Sequence, residues 1–386
     1  MNRENNKLLF ALVRSAIRGD ELEDIEKALV SDETIRKISA VAKHHDIAHL
    51  ATLALKKNGI AGELTEKTEN IILKAAYRHR QLNYEYALLC DVLEAAKIPF
   101  IPLKGSVMRK YYPEPWMRTS CDIDILVNED DTEKVKDILT REYEYTYETK
   151  NSHDLSLFSP NNIHVELHYN LVGDGIAKES SEILKSVWNS AIHRDGLEFC
   201  FDMPDEMFYF YHIAHMAKHF ENGGCGIRPF IDLWLLDHIE GISTDKRDKL
   251  LEKGKLLRFA NVARKLSNVW FENDEHDDIS TQMENYIIRG GVYGNNENRI
   301  TIQQQKKGGK FKYALSRIFI PYDELKFHYP VIQKHKWLTP FMEIRRWFKL
   351  AFCGGAKRSI NELKYNSSIT QDKAAETKQF LKDIGL

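Results

Sequence analysis

Along residues 5 to about 97 the apolar positions recur at spacings of three and four, the period of a helix with one buried face. The runs "KLLFALVRSAI" and "ETIRKISAVAKHHDIAHLATLAL" show this most clearly, and no Pro or Gly interrupts Glu66 to Lys97, which reads as one long helix. At Ile98 the pattern changes. "IPFIPLK" is a short β-rich run, Gly105 opens a helical stretch to about Tyr112, and "PEP" at 113–115 is a loop. "DIDILV" predicts a strand, and "DDTEKVKDILTREY" a helix capped by Asp130 or Asp131. Three alternating runs follow, "YEYTYET", "HDLSLFS" and "NIHVELHY", joined by the turn-forming "NSH" and "SPNN". A strand–helix–strand unit followed by a meander predicts an α+β sheet of four or five strands. Helical periodicity returns from about Glu179, clearest in "DEMFYFYHIAHMAKHF" and "RPFIDLWLLDHI". The polar, Gly-rich stretch 290–312 reads as a mobile loop before a C-terminal piece. Four regions are expected: helical 1–97, an α/β core at 98–200, helical 201–290, and a loop with a helical tail at 291–386.

Two acids interrupt the apolar strand at "RTSCDIDILV". An unpaired buried charge costs several kcal/mol or changes its protonation state. On a strand, residues i and i+2 share a face. Asp122 and Asp124 therefore point one way, and Ile123, Ile125 and Val127 point the other, towards a core. In "IHVELHY" the same parity puts His164, Glu166 and His168 opposite Ile163, Val165 and Leu167. If the two strands are neighbours, Asp122, Asp124 and Glu166 converge, and three acids repel unless a cation lies between them. A hard divalent ion with oxygen ligands answers that need. A solvated sheet face is the alternative. Upstream, Lys104-Gly105-Ser106 lies between a strand and a helix. Its backbone N–H groups read either as a phosphate cradle or as a plain turn. Arg118, four residues before Asp122, reads as a phosphate contact or as a surface arginine.

A second cluster, "FYFYHIAHMAKHFENGGCGIRPFIDLWLL", carries His212, His215 and His219 on one helical stripe, with Lys218, Arg228 and Asp232 nearby. A zinc site lacks a standard ligand spacing here. A polar helix face packed on the sheet is one reading. The other is a second wall of the cleft, with Lys218 and Arg228 facing phosphate or acceptor, His215 beside them and Asp232 orienting one of the cations. Asp232 follows Arg228 by four positions, which also suits an ion pair along the helix. The C-terminal "HYPVIQKHKWLTPFMEIRRWFKLAF" is amphipathic and reads as a packed helix, or as one lying on a partner or a membrane surface.

Composition narrows the class. The 386 residues are 43% apolar and 29% charged, with formal net charge −2. That balance argues against broad nucleic-acid binding, though a local basic groove stays open. No window approaches 18 uncharged apolar residues, so no membrane span is expected. The scattered cysteines (Cys90, Cys121, Cys200, Cys225 and Cys353) form no CxxC pair and read as reduced thiols of a cytoplasmic protein.

Together "FIPLKGSVMRKYY", "RTSCDIDILV", "HVELHYNL" and "HMAKHF…GIRPFIDLWLL" resemble the nucleotidyltransferase superfamily of the DNA polymerase β type. More closely, they resemble the uncharacterised bacterial family NTP_transf_5, over about residues 95 to 240. The resemblance implies a mixed sheet with flanking helices and a transfer of NMP from an NTP such as ATP, releasing pyrophosphate. It implies that Asp122 and Asp124 hold Mg²⁺, and that Glu166 completes a second metal site and helps deprotonate an acceptor hydroxyl. Lys104, Gly105, Ser106, Arg118, Lys218 and Arg228 are the expected nucleotide contacts, with His215 and Asp232 behind them. The acceptor stays open, a sugar or sugar phosphate among the candidates. A toxin-like enzyme modifying a protein or tRNA, and a degenerate binding scaffold, are the competing readings.

Overall fold

The computed structural model describes residues 3–60, 63–171, 176–241, 243–292, 294–352 and 356–386. Five strands form a mixed sheet: β1 (Phe100–Pro102), β2 (Asp122–Val127), β3 (Thr146–Lys150), β4 (Asp154–Phe158) and β5 (His164–His168). Their spatial order is β1-β2-β5-β4-β3. β2 and β5 run parallel and the other pairs antiparallel. Pro102, which has no N–H to give, sits on an edge strand as its chemistry requires.

The alternation along the strands sorts the two faces. Ile123, Ile125 and Val127 join Leu155, Leu157, Val165 and Leu167 in one apolar layer. Leu82, Leu89 and Leu93 of the long helix Glu63–Ala95 cover that layer, with Val135 and Leu139 of helix Thr132–Glu142. Asp131 occupies the N-cap position of the latter helix, but its side chain makes no capping bond.

A larger apolar cluster lies on the other side of the sheet. It joins N-terminal helices Arg3–Arg18, Asp32–His44 and Ala48–Lys57 to helices Asp205–Phe220, Arg228–Asp237 and Leu257–Phe271. The N-terminal helices up to Lys57 thus share one core with the helices of 205–271, while the long helix Glu63–Ala95 belongs to the other layer. Phe10 stacks on Trp270 with ring centroids 4.1 Å apart. Trp270 Nε1 donates to Glu284 Oε2 at 2.8 Å, so even the polar atom of this deep side chain is satisfied.

The expected loop at 290–312 is a correction. Helix Asn296–Lys307 runs through it, with the Asn295 side chain accepting from the Glu297 N–H. It is part of the packing: Ile300 and Ile302 are buried, as is the polar Gln304, whose Nε2 donates to Asn366 Oδ1 at 2.7 Å. Gly294, at φ +72°, sits so close to Gly223 and Gly224 that a Cβ there would fall 2.5 Å from their carbonyl oxygens. Glycine at this position permits close backbone contact. Cys90, Cys121, Cys200 and Cys225 are free thiols, while Cys353 lies outside the described residues. No described helix is long and apolar enough to cross a membrane.

Trp270→Ala should destabilise the protein by about 3–5 kcal/mol, the usual range for a large aromatic core deletion. Urea denaturation followed by circular dichroism measures this, and a loss under about 1 kcal/mol would show that the Phe10–Trp270 stack does not join the two helical groups.

Candidate active site

The parallel ladder between β2 and β5 places Asp122 opposite His164, Asp124 opposite Glu166 and Leu126 opposite His168. The three carboxylates expected to converge do so. The donor atoms of Asp124, Glu166 and His168 all lie within 4.8 Å of one another, as do those of Asp122, His164 and Glu166. They open into a cavity of about 420 Å³ whose lining includes Lys104, Gly105, Arg118, Tyr211, His215, Lys218, His219, Arg228 and Asp232.

The fully buried side of this cluster carries its own cations. Lys104 Nζ donates to Asp124 Oδ1 at 2.6 Å and lies 3.9 Å from Glu166 Oε2. His168 Nε2 donates to the same Asp124 oxygen at 2.8 Å and lies 3.2 Å from Glu166 Oε2. Burial works against the Asp124 charge, but Lys104 and His168 outweigh it and hold the carboxyl well below its ordinary range. Burial and then the Asp124 charge push Asp122 the opposite way, upward. Burial and Lys104 disfavour the His168 imidazolium; its hydrogen bonds to Asp124 and Glu166 prevail and raise its pKa. Two acids on one face, one firmly ionised and one forced towards protonation, mark an excess of negative charge. The donors are carboxylate oxygens with imidazole nitrogens beside them, a set that fits a hard divalent cation.

Lys104 itself has φ +44° and ψ −118°, a conformation rare for a residue with a side chain and costly by about 1–3 kcal/mol. The Leu103 N–H donates to the Asp124 carbonyl at 3.0 Å and the ammonium holds the carboxylate, so both ends of this kink are tied to β2. Gly105 follows because space is short: a Cβ there would meet Ser120 Oγ at 3.2 Å. The helix after it is a single turn, Gly105–Met108, too short to sum much dipole towards an anion. Ser106 does not line the cavity; its hydroxyl is buried without a hydrogen-bond partner.

The second wall differs from expectation in its ion pairs. Asp232 pairs with Arg118, not with Arg228. Arg118 Nε donates to Asp232 Oδ1 at 2.8 Å and Nη2 to Oδ2 at 2.8 Å, while Tyr112 OH donates to Oδ1 at 2.7 Å. All three are buried. Arg118 is thereby committed to a clamp between the loop before β2 and helix Arg228–Asp237. Arg228 instead bonds Asp46 Oδ2 at 2.9 Å and Thr119 Oγ1 at 3.1 Å, partners that helical spacing could not suggest because Asp46 is 182 residues away.

Lys218 has no hydrogen-bond or ion-pair partner among the described residues. Burial, then the nearby Lys104, lowers its pKa. His215 and His219 meet edge to face at 4.4 Å. Burial drives His215 well below its ordinary value and His219 down to about 4, with Lys104 and Lys218 adding to this, so both are neutral near pH 7. His212 donates to the Pro229 carbonyl at 2.9 Å and holds two helices together. Sequence reasoning gave no role to His168 or Tyr211. The parity of β5 was the available signal for His168. Tyr211, buried beside Lys104 with an unpartnered hydroxyl, lies in a run that reads as core.

Residues 31–272 match the family model described as an uncharacterised nucleotidyltransferase, NTP_transf_5. The chain belongs to that family. The match reaches beyond the sheet into the N-terminal helices that supply Asp46, and through helix Leu257–Phe271. No curated protein and no solved structure matches the chain. Within this nucleotidyltransferase, the acid-bearing sheet face and the helices opposite it enclose the cavity.

Asp232→Ala leaves the Arg118 guanidinium buried and unpaired, and should cost about 3–5 kcal/mol. Burial opposes the Asp232 charge, but Arg118 prevails and lowers its pKa. The stabilisation is therefore complete above the ordinary Asp value of about 3.9 and is lost as pH falls through the lower folded value. Denaturant midpoints for wild type and variant should converge below that window. A constant gap down to the acid unfolding limit would contradict the pairing.

Proposed function

We propose that this chain is a Mg²⁺-dependent nucleotidyltransferase that moves a nucleoside monophosphate from an NTP to an oxygen of an acceptor and releases pyrophosphate. The observation that carries this is the placement of Asp124 opposite Glu166 on adjacent parallel strands, with Asp122 on the same face and a cavity walled by cationic residues above them. Its volume is within the range for small-ligand sites.

Asp122, Asp124 and Glu166 would hold the divalent cation, with two overlapping donor groups sharing Glu166. The bound metal supplies charge to the phosphates and to the developing oxyanions. Lys104 is a resident counter-ion that exchanges Asp124 for a phosphate oxygen. Lys218, already facing the cavity without a partner, takes triphosphate charge from the opposite wall. Glu166 accepts the proton of an acceptor hydroxyl as its oxygen bonds to the α-phosphorus and the bond to pyrophosphate breaks. Neutral His215 and His219 border this space without adding positive charge. The Arg118–Asp232 pair and Arg228 position the wall and do not contact the nucleotide. Gly105 lets the backbone pass close to Ser120, and Ser106 takes no part.

Calorimetry should show tighter NTP binding with Mg²⁺ than with EDTA, because bare acids repel a triphosphate. Asp124→Asn should abolish most pyrophosphate release, since charge positioning carries this chemistry. Lys104→Ala should lower the thermal midpoint in EDTA by leaving Asp124 buried beside one fewer cation, and Mg²⁺ should restore part of it. Equal NTP affinity in Mg²⁺ and EDTA, or a wild type that binds no NTP, would defeat the proposal.

A further inference from the structure

Helix Thr339–Phe352, in the C-terminal region, departs from the usual arrangement of a surface helix. Glu343, Arg346 and the Trp347 N–H are turned towards the protein: Glu343 Oε1 accepts from the Ile320 N–H at 2.9 Å, Arg346 Nε donates to Glu343 Oε2 at 2.8 Å, and Trp347 Nε1 donates to the Ile318 carbonyl at 2.8 Å. The apolar stripe of the helix faces out. Phe341 is 58% exposed, Ile344 45%, Phe348 61% and Phe352 82%, and Trp337 just before the helix is 68% exposed. Within the helix Phe341, Ile344, Phe348 and Phe352 follow at spacings of three, four and four, so they form one face about 17 Å long at 1.5 Å per residue, with Trp337 beyond its N-terminal end. A water-soluble surface helix is normally arranged the other way round. An apolar stripe of this length on an ordinary surface marks an interaction site.

Charge says what covers it. Between Lys306 and Phe352 there are eleven Lys and Arg but three Asp and Glu, a balance of +8 in a chain whose total is −2. Lys336, Arg345 and Lys349 beside the stripe are all exposed. Two copies meeting through this face would set like charges against each other. Anionic phospholipid satisfies both features at once: headgroups for the lysines and arginines, and an acyl boundary for Phe and Trp.

We propose that Trp337 and helix Thr339–Phe352 form a reversible docking surface for an anionic membrane, with the helix lying in the plane of the interface. The surface is independent of the transferase reading, since it includes none of the cavity residues.

The full chain should be mixed with vesicles of phosphatidylcholine alone or with added phosphatidylglycerol, and floated. Expected is co-flotation with the anionic vesicles only, weakened by high salt, with a blue shift in tryptophan fluorescence. Phe341→Ser with Phe348→Ser should lower the bound fraction about tenfold or more, since each exposed ring removed costs insertion energy. Lys336→Glu with Lys349→Glu should remove the preference for anionic lipid while leaving the apolar stripe intact. Circular dichroism should match wild type for both variants, because the replaced side chains are exposed. No flotation with anionic vesicles, equal binding by the Phe variant, or a wild-type dimer in sedimentation that the Phe variant dissociates would each overturn the proposal.

Discussion

The pairing of β2 with β5 is the constraint on which the site depends. Backbone hydrogen bonds between two parallel strands set Asp124 directly across from Glu166, and the pleat sends the apolar half of both strands into the opposite layer. Slipping either strand by one residue would bury the acids in that layer and expose Ile123, Ile125, Val165 and Leu167. The core therefore guards the register of the site. The consequence is a concentration of negative charge that no side chain on the sheet can neutralise alone, and the surroundings are arranged to answer it. Lys104 reaches it from a kinked turn, and His168 from the same strand two residues beyond Glu166.

The opposite wall is held by a different device. Arg118, Asp232 and Tyr112 form a buried, fully hydrogen-bonded group between the loop that precedes β2 and the helix that faces it. A buried pair of this kind gives little net stability over an apolar equivalent, while removing one partner is costly. Its effect is geometric: it fixes how far helix Arg228–Asp237 stands from the acids. The Asp46–Arg228–Thr119 contacts tie the same loop to the N-terminal helices. The cavity is thus bounded by three parts of the chain that are distant in sequence.

What was legible beforehand follows from this division. The sheet face of the site rests on period-two parity in β2 and β5, a local property, and Asp122, Asp124 and Glu166 could be read from it. The long helix Glu63–Ala95 was legible too, because an uninterrupted helical period has few alternatives. Ion pairs across the cleft were not. Asp232 lies four residues after Arg228, a spacing that suits a pair, yet the bidentate fit of Arg118 in a buried pocket prevails. Arg118 looked exposed because a loop residue carries no periodicity to betray its burial. Stretch 290–312 resembled a loop because Gly and Gln were taken at their local value. Its glycines allow backbone contact, and Gln304 is held by Asn366, a partner 62 residues on.

The path from β2 to β5 has a consequence for recognising such proteins. Between the two acid-bearing strands the chain makes helix Thr132–Glu142 and the β3–β4 hairpin, yet in space β5 lies beside β2 and the hairpin stands outside it. The intervening chain is a detour whose length does not enter the distance between Asp124 and Glu166. Insertions or deletions in that detour leave the acids in place so long as the ladder survives. A search pattern built on a fixed interval between the second and third acid would lose relatives with longer or shorter detours, whereas one built on the two strands and their alternation would keep them.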